Sequence, residues 1–312
     1  MLLTAFRRFL YKQGFKKSVD TAVPVIVVGN IGIGGNGKTP LAIHLLALCE
    51  KLGIKAGVIS RGYGGILPEN KQYPLLIDET TPVEETGDEP FLIYHRCKVP
   101  VAIGPDRIAS VALLKAQGCQ LVIADDGLQH YRLKRSREII VVDGKRGFGN
   151  GLLLPAGPLR EGPWRLNTVD SVVVNGDTSL AITKPYQQML LAASYVINIK
   201  TGEKVWLEDF NSEHQQVNAV AGIGSPQRFF DTLITNGFSL EKTAAFVDHH
   251  HFTEQDFTRF SQHVPLLMTE KDAVKCQPFA QEHWWYLEVS AQFSEQDNQL
   301  FNDMLSKLMS VG

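Results

Sequence analysis

Gly32, Ile33, Gly34, Gly35, Asn36, Gly37, Lys38 and Thr39 form one string, GIGGNGKT. Its Gly-x-x-x-x-Gly-Lys-Thr spacing is that of a loop whose backbone N–H groups turn inward around phosphate oxygens. A glycine costs about 0.5–1 kcal/mol against alanine wherever a regular element can form, so this density of glycine points to a need for bare backbone. The apolar run PVIVV precedes the loop and LAIHLLALCE follows it. A strand therefore enters and a helix leaves, with the helix N-terminus aimed at the same anion. Pro40 fits the first turn, which has no N–H partner to lose. Lys38 is expected to reach the β- and γ-phosphates, and the Thr39 hydroxyl to ligate Mg²⁺. The string predicts a bound nucleoside triphosphate. It names neither the base nor the fate of the γ-phosphate.

A loop of this kind works with a second magnesium anchor at a strand end. LVIADDGLQH supplies an apolar run, then Asp125 and Asp126. Either carboxylate suits the metal or its water, and the sequence leaves both open. A guanine-reading Asn-Lys-x-Asp is not found; in the nearest string, Thr269-Glu270-Lys271-Asp272, the lysine comes one place late. A kinase needs instead a base for an acceptor hydroxyl. In TGDEPFLIYHRC, Asp88 and Glu89 open a helix with Pro90 in its first turn. That position favours carboxylates for dipole reasons alone. In FVDHHHF, Asp248, His249, His250 and His251 lie just past a strand-like run. Three consecutive residues of an extended segment cannot all face one ion. One imidazole oriented by a neighbouring carboxylate is the simpler use.

These residues need a frame. Between Pro24 and about Ser171 the runs PVIVVG, KAGVIS, VPVAIG, LVIAD, EIIVVD and DSVVVN alternate with helical patterns. Near-continuous Val/Ile runs suit strands buried on both faces. The predicted fold is α/β: a P-loop domain with a mostly parallel, doubly wound sheet, and a second, smaller α/β domain. The Gly/Pro-rich segment 144–168 breaks the rhythm and reads as a functional loop. In MLLAASYVINIKTGEKVWL the polar KTGEK between two strand-like runs reads as a hairpin, suited to connect the halves. The second alternation places a helix through SPQRFFDTLITNGF and another after Thr253. The expected division is a helix over 1–20, the P-loop domain over 21–188, a two-stranded connector over 189–208, and the smaller domain over 209–312, closing over the site.

The net charge of −2 gives no sign of a nucleic-acid partner. Cys49, Cys97, Cys119 and Cys276 are widely spaced and read as reduced core thiols. No apolar run reaches the roughly 18 residues of a membrane span, and Arg7 and Arg8 interrupt any signal-peptide core. In MLLTAFRRFLYKQGFKK, Leu2, Leu3, Phe6, Phe9 and Leu10 share one helical face beside Arg8, Lys12 and Lys16. That make-up suits a helix lying in a membrane surface, and equally one capping the protein's own core.

The strings VGNIGIGGNGKTP, SRGYGG, GDEP, GPDR, ADDGLQH, LLPAGPLRE, DHHHF and TEKDAVK occur in this order. Together they closely resemble the tetraacyldisaccharide 4′-kinase family, from the N-terminal helix to at least Lys275. The last thirty-odd residues carry no matching motif. The resemblance implies transfer of the ATP γ-phosphate to the 4′-hydroxyl of tetraacyldisaccharide 1-phosphate, giving lipid IVA. It implies ATP and Mg²⁺, a lipid acceptor, and a peripheral enzyme on the cytoplasmic face of the inner membrane, held through residues 1–17. No nucleic acid and no obligate protein partner are expected. The family's Asp–His base would here be Asp88 with His249. Arg61 and Tyr63, after a strand, are expected near ATP or the sugar, with Glu89 and His130 also at the substrate. Arg107 and Arg160 are expected to fork a phosphate, Glu161 to add to the magnesium shell, and Lys271 to bind the acceptor's 1-phosphate. The alternatives are a P-loop kinase for a soluble sugar, and a P-loop GTPase switch or metal chaperone.

Overall fold

Every residue of β1 (Val25–Gly29), β2 (Ala56–Ser60) and β5 (Leu121–Asp125) is buried. Strands covered on both faces need a layer on each side of the sheet. The structure, a computed structural model, describes residues 8–11 and 13–310. With β3 (Leu75–Leu76), β4 (Val101–Ile103), β6 (Arg137–Asp143), β7 (Ser171–Asn175) and β8 (Gln187–Asn198), the first half has the strand order β8-β7-β6-β1-β5-β2-β4-β3. Strands β7 to β4 are parallel and the short edge strand β3 is antiparallel. Helix α1 (Lys38–Lys51) and Ile93 of helix α2 (Asp88–Cys97) pack on one face of this sheet. Helix α3 (Arg107–Ala116) and loop residues Leu128, Leu159 and Leu166 pack on the other. The sheet is mostly parallel and doubly wound.

The halves share a strand. Residues 187–189 of β8 pair parallel with β7, and the rest of β8 runs antiparallel to β13 (Trp284–Gln292). The KTGEK turn returns β8 into β9 (Lys204–Trp206). Beyond β13 lie β12 (Leu266–Thr269), β10 (Gln216–Ala221) and β11 (Ser239–Ala245), all parallel. Helices α4 (Leu207–Glu213), α5 (Pro226–Thr235) and α6 (Glu270–Cys276) connect them.

Three expectations need adjustment. The helix after Thr253 is only a 3₁₀ turn, Glu254–Phe257, closed by a Thr253/Asp256 capping box. Phe257 and Phe260, three residues apart, turn into a core with Phe252 and Trp284, which a short turn satisfies without a longer helix. The C-terminal helix α7 (Glu295–Ser310) does not stay with residues 209–294. Its Phe301 and Leu305 join the first core beside Leu41 and Leu45, and Asn298 bonds His44 at 2.8 Å. The interfacial helix rests on Leu2, Leu3, Phe6 and Lys12, which lie outside the described residues. Of the helix expected over 1–20, residues 8–11 are helical, whereas residues 13–20 are turn, bend and irregular chain with Val19 bridged to Leu133.

Among the described residues no helix is long and apolar enough to cross a membrane. The four cysteines are free, and burial pushes the Cys49 thiol up to about 12.

Because Phe301 is only 2% exposed within the first core, Phe301→Ala is expected to destabilise the protein by about 3–5 kcal/mol. Urea unfolding measures it; a loss below about 1 kcal/mol would show α7 to be a peripheral attachment.

Candidate active site

The loop between β1 and α1 is clamped from two sides. Gly34 and Gly37 have φ of 95°, a left-handed backbone natural to glycine. A Cβ at Gly37 would lie 2.7 Å from both Asn175 Nδ2 and Met189 Cε. Asn175, the last residue of β7, donates to the Asn36 carbonyl at 3.1 Å. From the other side, Arg146 donates to Asn36 Oδ1 and the Pro158 carbonyl accepts from Ile33 N at 2.9 Å. The Gly/Pro-rich segment 144–168 therefore buttresses the phosphate loop. Arg146 and Asn175 were not singled out by sequence reasoning. The one signal was the polar residue closing the run DSVVVN.

Strand register puts Val28 beside Asp125, so the acidic strand end stands next to the loop. The two aspartates, equivalent in the sequence, separate in space. Asp126 has a φ of 51° and turns away to pair with Lys38 at 3.5 Å and Arg160 at 3.2 Å. Burial raises its pKa, but the two cations outweigh burial and hold it below the usual carboxylate range. Asp125 is 4% exposed, and its Oδ1 has no hydrogen-bond partner. Burial pushes it up to about 6, against the pull of Lys38. Glu161 is equally buried but engaged: Gln129 donates to it at 2.9 Å and Arg165 Nε lies at 3.2 Å.

The second cluster joins the halves. Asp88 and Glu89 open α2, and His249 follows β11 with a φ of 62°. His249 Nδ1 meets Asp88 Oδ2 at 3.0 Å. Lys271, at the start of α6, lies 2.8 Å from Glu89, 3.0 Å from Asp248 and 3.5 Å from His249 Nε2. Burial lowers the Lys271 pKa, but Glu89 and Asp248 more than restore it, so the ammonium stays charged. Lys275, one turn on, reaches Asp88 at 3.6 Å and the fully buried Asp272 at 3.0 Å. Sequence reasoning passed over Lys275; its signal was the i, i+4 spacing from Lys271 on one helix face. The two clusters feel one another, since the Glu89 charge acts on Asp125.

The remaining predicted residues divide. Tyr63 is 68% exposed with its ring 5.5 Å from His249, at the mouth of the site. Arg61 is exposed nearby. A Cβ at Gly87 would lie 2.2 Å from the Tyr63 carbonyl, so the glycine lets this loop lie under the start of α2. Arg107 is not an open phosphate fork. It is 3% exposed, donates to the Gly104 carbonyl at 2.8 Å, and burial lowers it to about 10 despite Asp125 and Asp126. It is a buried counter-charge behind the acidic strand end. His130 closes the turn after Asp126, its N–H donating to the Gly127 carbonyl at 3.0 Å. His250 stacks on Phe246 at 4.5 Å and faces Asp256 at 3.3 Å, so the histidines have separate surroundings. Among the described residues no group of His, Cys, Asp and Glu is arranged to hold a metal by itself. Asp272 accepts from the Gly222 N–H at 2.8 Å, which occupies the carboxylate a guanine reader would need.

A glycine loop ending in Lys38 and Thr39, set between central parallel strands and backed by a buried carboxylate, makes this a P-loop protein. The narrower assignment comes from comparison. The family model described as LpxK: Tetraacyldisaccharide-1-P 4'-kinase matches residues 1–310, and the chain belongs to that family. It is 55% identical over 305 residues to the tetraacyldisaccharide 4'-kinase of Colwellia psychrerythraea, covering 97% of this chain and 88% of that one. It is 48% identical over 298 residues to that of Mannheimia succiniciproducens, covering 95% and 88%. The crystal structure of LpxK from Aquifex aeolicus in complex with ATP is similar with a TM-score of 0.81 and 27% identity, over 98% of this chain and 95% of that one.

Holding the Asp125 charge at pH 7.5 costs the metal-free fold on the order of 2–3 kcal/mol, given its raised pKa. A raised carboxyl lets the folded state keep a proton that the unfolded chain has lost. Its cost therefore grows as pH rises from about 4 to 6 and is absent below that window. Asp125→Asn is expected to raise the melting temperature in chelator at pH 7.5, with the gain shrinking toward pH 4. An unchanged or lower melting temperature at pH 7.5 would refute the strained-carboxylate reading.

Proposed function

We propose that the protein transfers the γ-phosphate of ATP to the 4′-hydroxyl of tetraacyldisaccharide 1-phosphate, giving lipid IVA. The observation that carries this reading is the 3.0 Å contact of Asp88 with His249, beside the phosphate loop. An unassisted alcohol is a poor nucleophile at neutral pH, so a positioned base matters. With Nδ1–H donating to Asp88, the lone pair of His249 lies on Nε2 and takes the acceptor proton. Lys271, 3.5 Å from Nε2, offers a cation to the oxygen that loses it. That placement argues against Lys271 as the ligand of the 1-phosphate, which sits at the far end of the disaccharide from the 4′-oxygen. Lys38 and the loop N–H groups hold the phosphates in line.

The Thr39 hydroxyl and Asp125, whose buried Oδ1 has no partner, suit a magnesium ion, which when bound neutralises charge on the β- and γ-phosphates. Glu161, tied to Arg165 and Gln129, supports the turn after Arg160 from behind. Tyr63 and Arg61 at the mouth suit the sugar. Family membership speaks against the soluble-sugar kinase and the GTPase, and the engaged Asp272 speaks against the latter independently.

The protein is peripheral at the cytoplasmic face of the inner membrane in this reading, so that the acyl chains of its acceptor stay in the bilayer. Phe9 and Phe15 are 50% and 75% exposed. Arg8 stacks on the half-exposed Trp164 at 4.8 Å and donates to Thr168, tying the N-terminal segment to the body. Removing residues 1–17 is expected to weaken pelleting with anionic vesicles and raise the KM for lipid acceptor, with ATP binding little changed. Full pelleting of the truncated protein would reject the anchor.

The base is tested by kcat in a transfer assay with ATP, Mg²⁺ and detergent-dispersed acceptor. Asp88→Ala and His249→Ala are each expected to lower kcat by about 10²–10⁴. The double variant should be little worse than either, since the pair acts as one unit. ATP affinity should be unchanged, whereas Lys38→Ala should abolish transfer through the phosphate loop. Multiplying losses at Asp88 and His249 would reject the shared base.

A further inference from the structure

Helix α2 begins at Asp88 and ends near Arg96, and both ends touch the second half of the chain. At its start stand the contacts of Asp88 and Glu89 with His249, Lys271 and Lys275. At its end, Arg96 makes a second set. Its Nη1 donates to Glu270 Oε2 at 2.6 Å and to the Val289 carbonyl at 2.9 Å. Its Nη2 donates to Ser290 Oγ at 2.8 Å and reaches Glu288 at 3.4 Å. Lys204 holds Glu288 from the other side at 2.6 Å. Every one of these partners belongs to β9, β13 or α6.

Ile93 and Cys97 pack this end of the helix onto its own half, while a gap remains toward the second half. A cavity of about 370 Å³ lies between α2 and α6, lined by Phe91, Leu92, Ala273 and Val274 as well as by Arg96 and Glu270. Where side chains do not interlock, the spacing of two helices is set by whatever bonds cross the gap. Here those are the bonds of Arg96. Glu270 immediately precedes Lys271, so the residue that Arg96 grips is the chain neighbour of the lysine beside the base.

We infer that Arg96 is a positioning residue: its fan of bonds to Glu270, Val289, Ser290 and Glu288 sets the distance between α2 and α6, and so brings Asp88 to His249 and Lys271. This rests on the Asp88–His249 base proposed above. Arg96 touches neither substrate and does no chemistry. Without it, the polar contacts of α2 to the second half that remain are those at its N-terminus, and the gap at the other end leaves room for the halves to shift. A shift of about 1 Å at a reacting group can cost on the order of 10²-fold in rate.

The test is a double-mutant cycle on kcat, with full-length protein, ATP, Mg²⁺ and detergent-dispersed acceptor. Arg96→Gln is expected to lower kcat by about 10- to 100-fold with the KM for ATP unchanged, and Arg96→Lys to recover part of the loss. In a His249→Ala background, Arg96→Gln should cost nothing further, because there is no longer a base to position. A residue that only stabilises the fold would lower the melting temperature and would not show this dependence on His249. Should Arg96→Gln fail to fold, Glu270→Gln carries the same cycle with a smaller loss. If His249→Ala is impaired while Arg96→Gln turns over normally, or if the two losses multiply, the positioning role is overturned and the base stands. If His249→Ala turns over normally, the base is overturned and the positioning role with it.

Discussion

The Lys271 ammonium stands among three carboxylates, at 2.8 Å from Glu89, 3.0 Å from Asp248 and 3.8 Å from Asp88. Remove that charge and Asp88, Glu89 and Asp248 would be left close together in a partly buried cleft, where like charges repel strongly. The lysine comes from the second half of the chain and two of the carboxylates from the first. The attraction therefore does two things at once. It closes the seam between the halves, and it sets Asp88 where His249 can meet it. His249 itself is held in a left-handed conformation that costs about 1–2 kcal/mol for a residue with a side chain, and such strain persists only where surrounding contacts determine it.

The acidic strand end is organised by the same arithmetic with the signs reversed. Arg107 from below and Lys38 and Arg160 from the loop side surround Asp125 and Asp126. Asp126 takes the close ion pairs, Asp125 is the more deeply buried, and each keeps an Oδ1 without a hydrogen-bond partner. A buried carboxylate without a full set of partners is a cost to the fold alone, and such costs gather where a charged ligand is to be bound.

The halves are bound by more than the seam. Strand β8 belongs to both, parallel to β7 at its start and antiparallel to β13 for the rest. Helix α7 then returns the end of the chain to the first core. A chain that crosses twice between halves cannot open freely as two bodies on a linker. Relative motion must bend β8 or slide α7 over α1, so small displacements at the seam are the accessible ones. The 370 Å³ cavity beside Arg96 gives such displacements somewhere to go.

The sequence by itself determined the phosphate loop, the acidic strand end and the parallel sheet. Each depends on neighbours a few residues apart: glycines that free the backbone between a buried strand and a helix, and Val/Ile runs that need cover on both faces. The order of rare strings carried the family resemblance, and through it the pairing of Asp88 with His249, which no local pattern could have supplied across 161 positions. Only the tertiary structure separated Asp125 from Asp126, because their surroundings turn on one left-handed residue and two cations distant in sequence. It decided that Arg107 is a buried counter-charge and that Lys271 lies among Glu89, Asp248 and His249. A guanidinium or ammonium reads the same in sequence whether it meets solvent, phosphate or carboxylate. It also placed the last helix in the first core, since an amphipathic stripe states that it needs a partner and not which one.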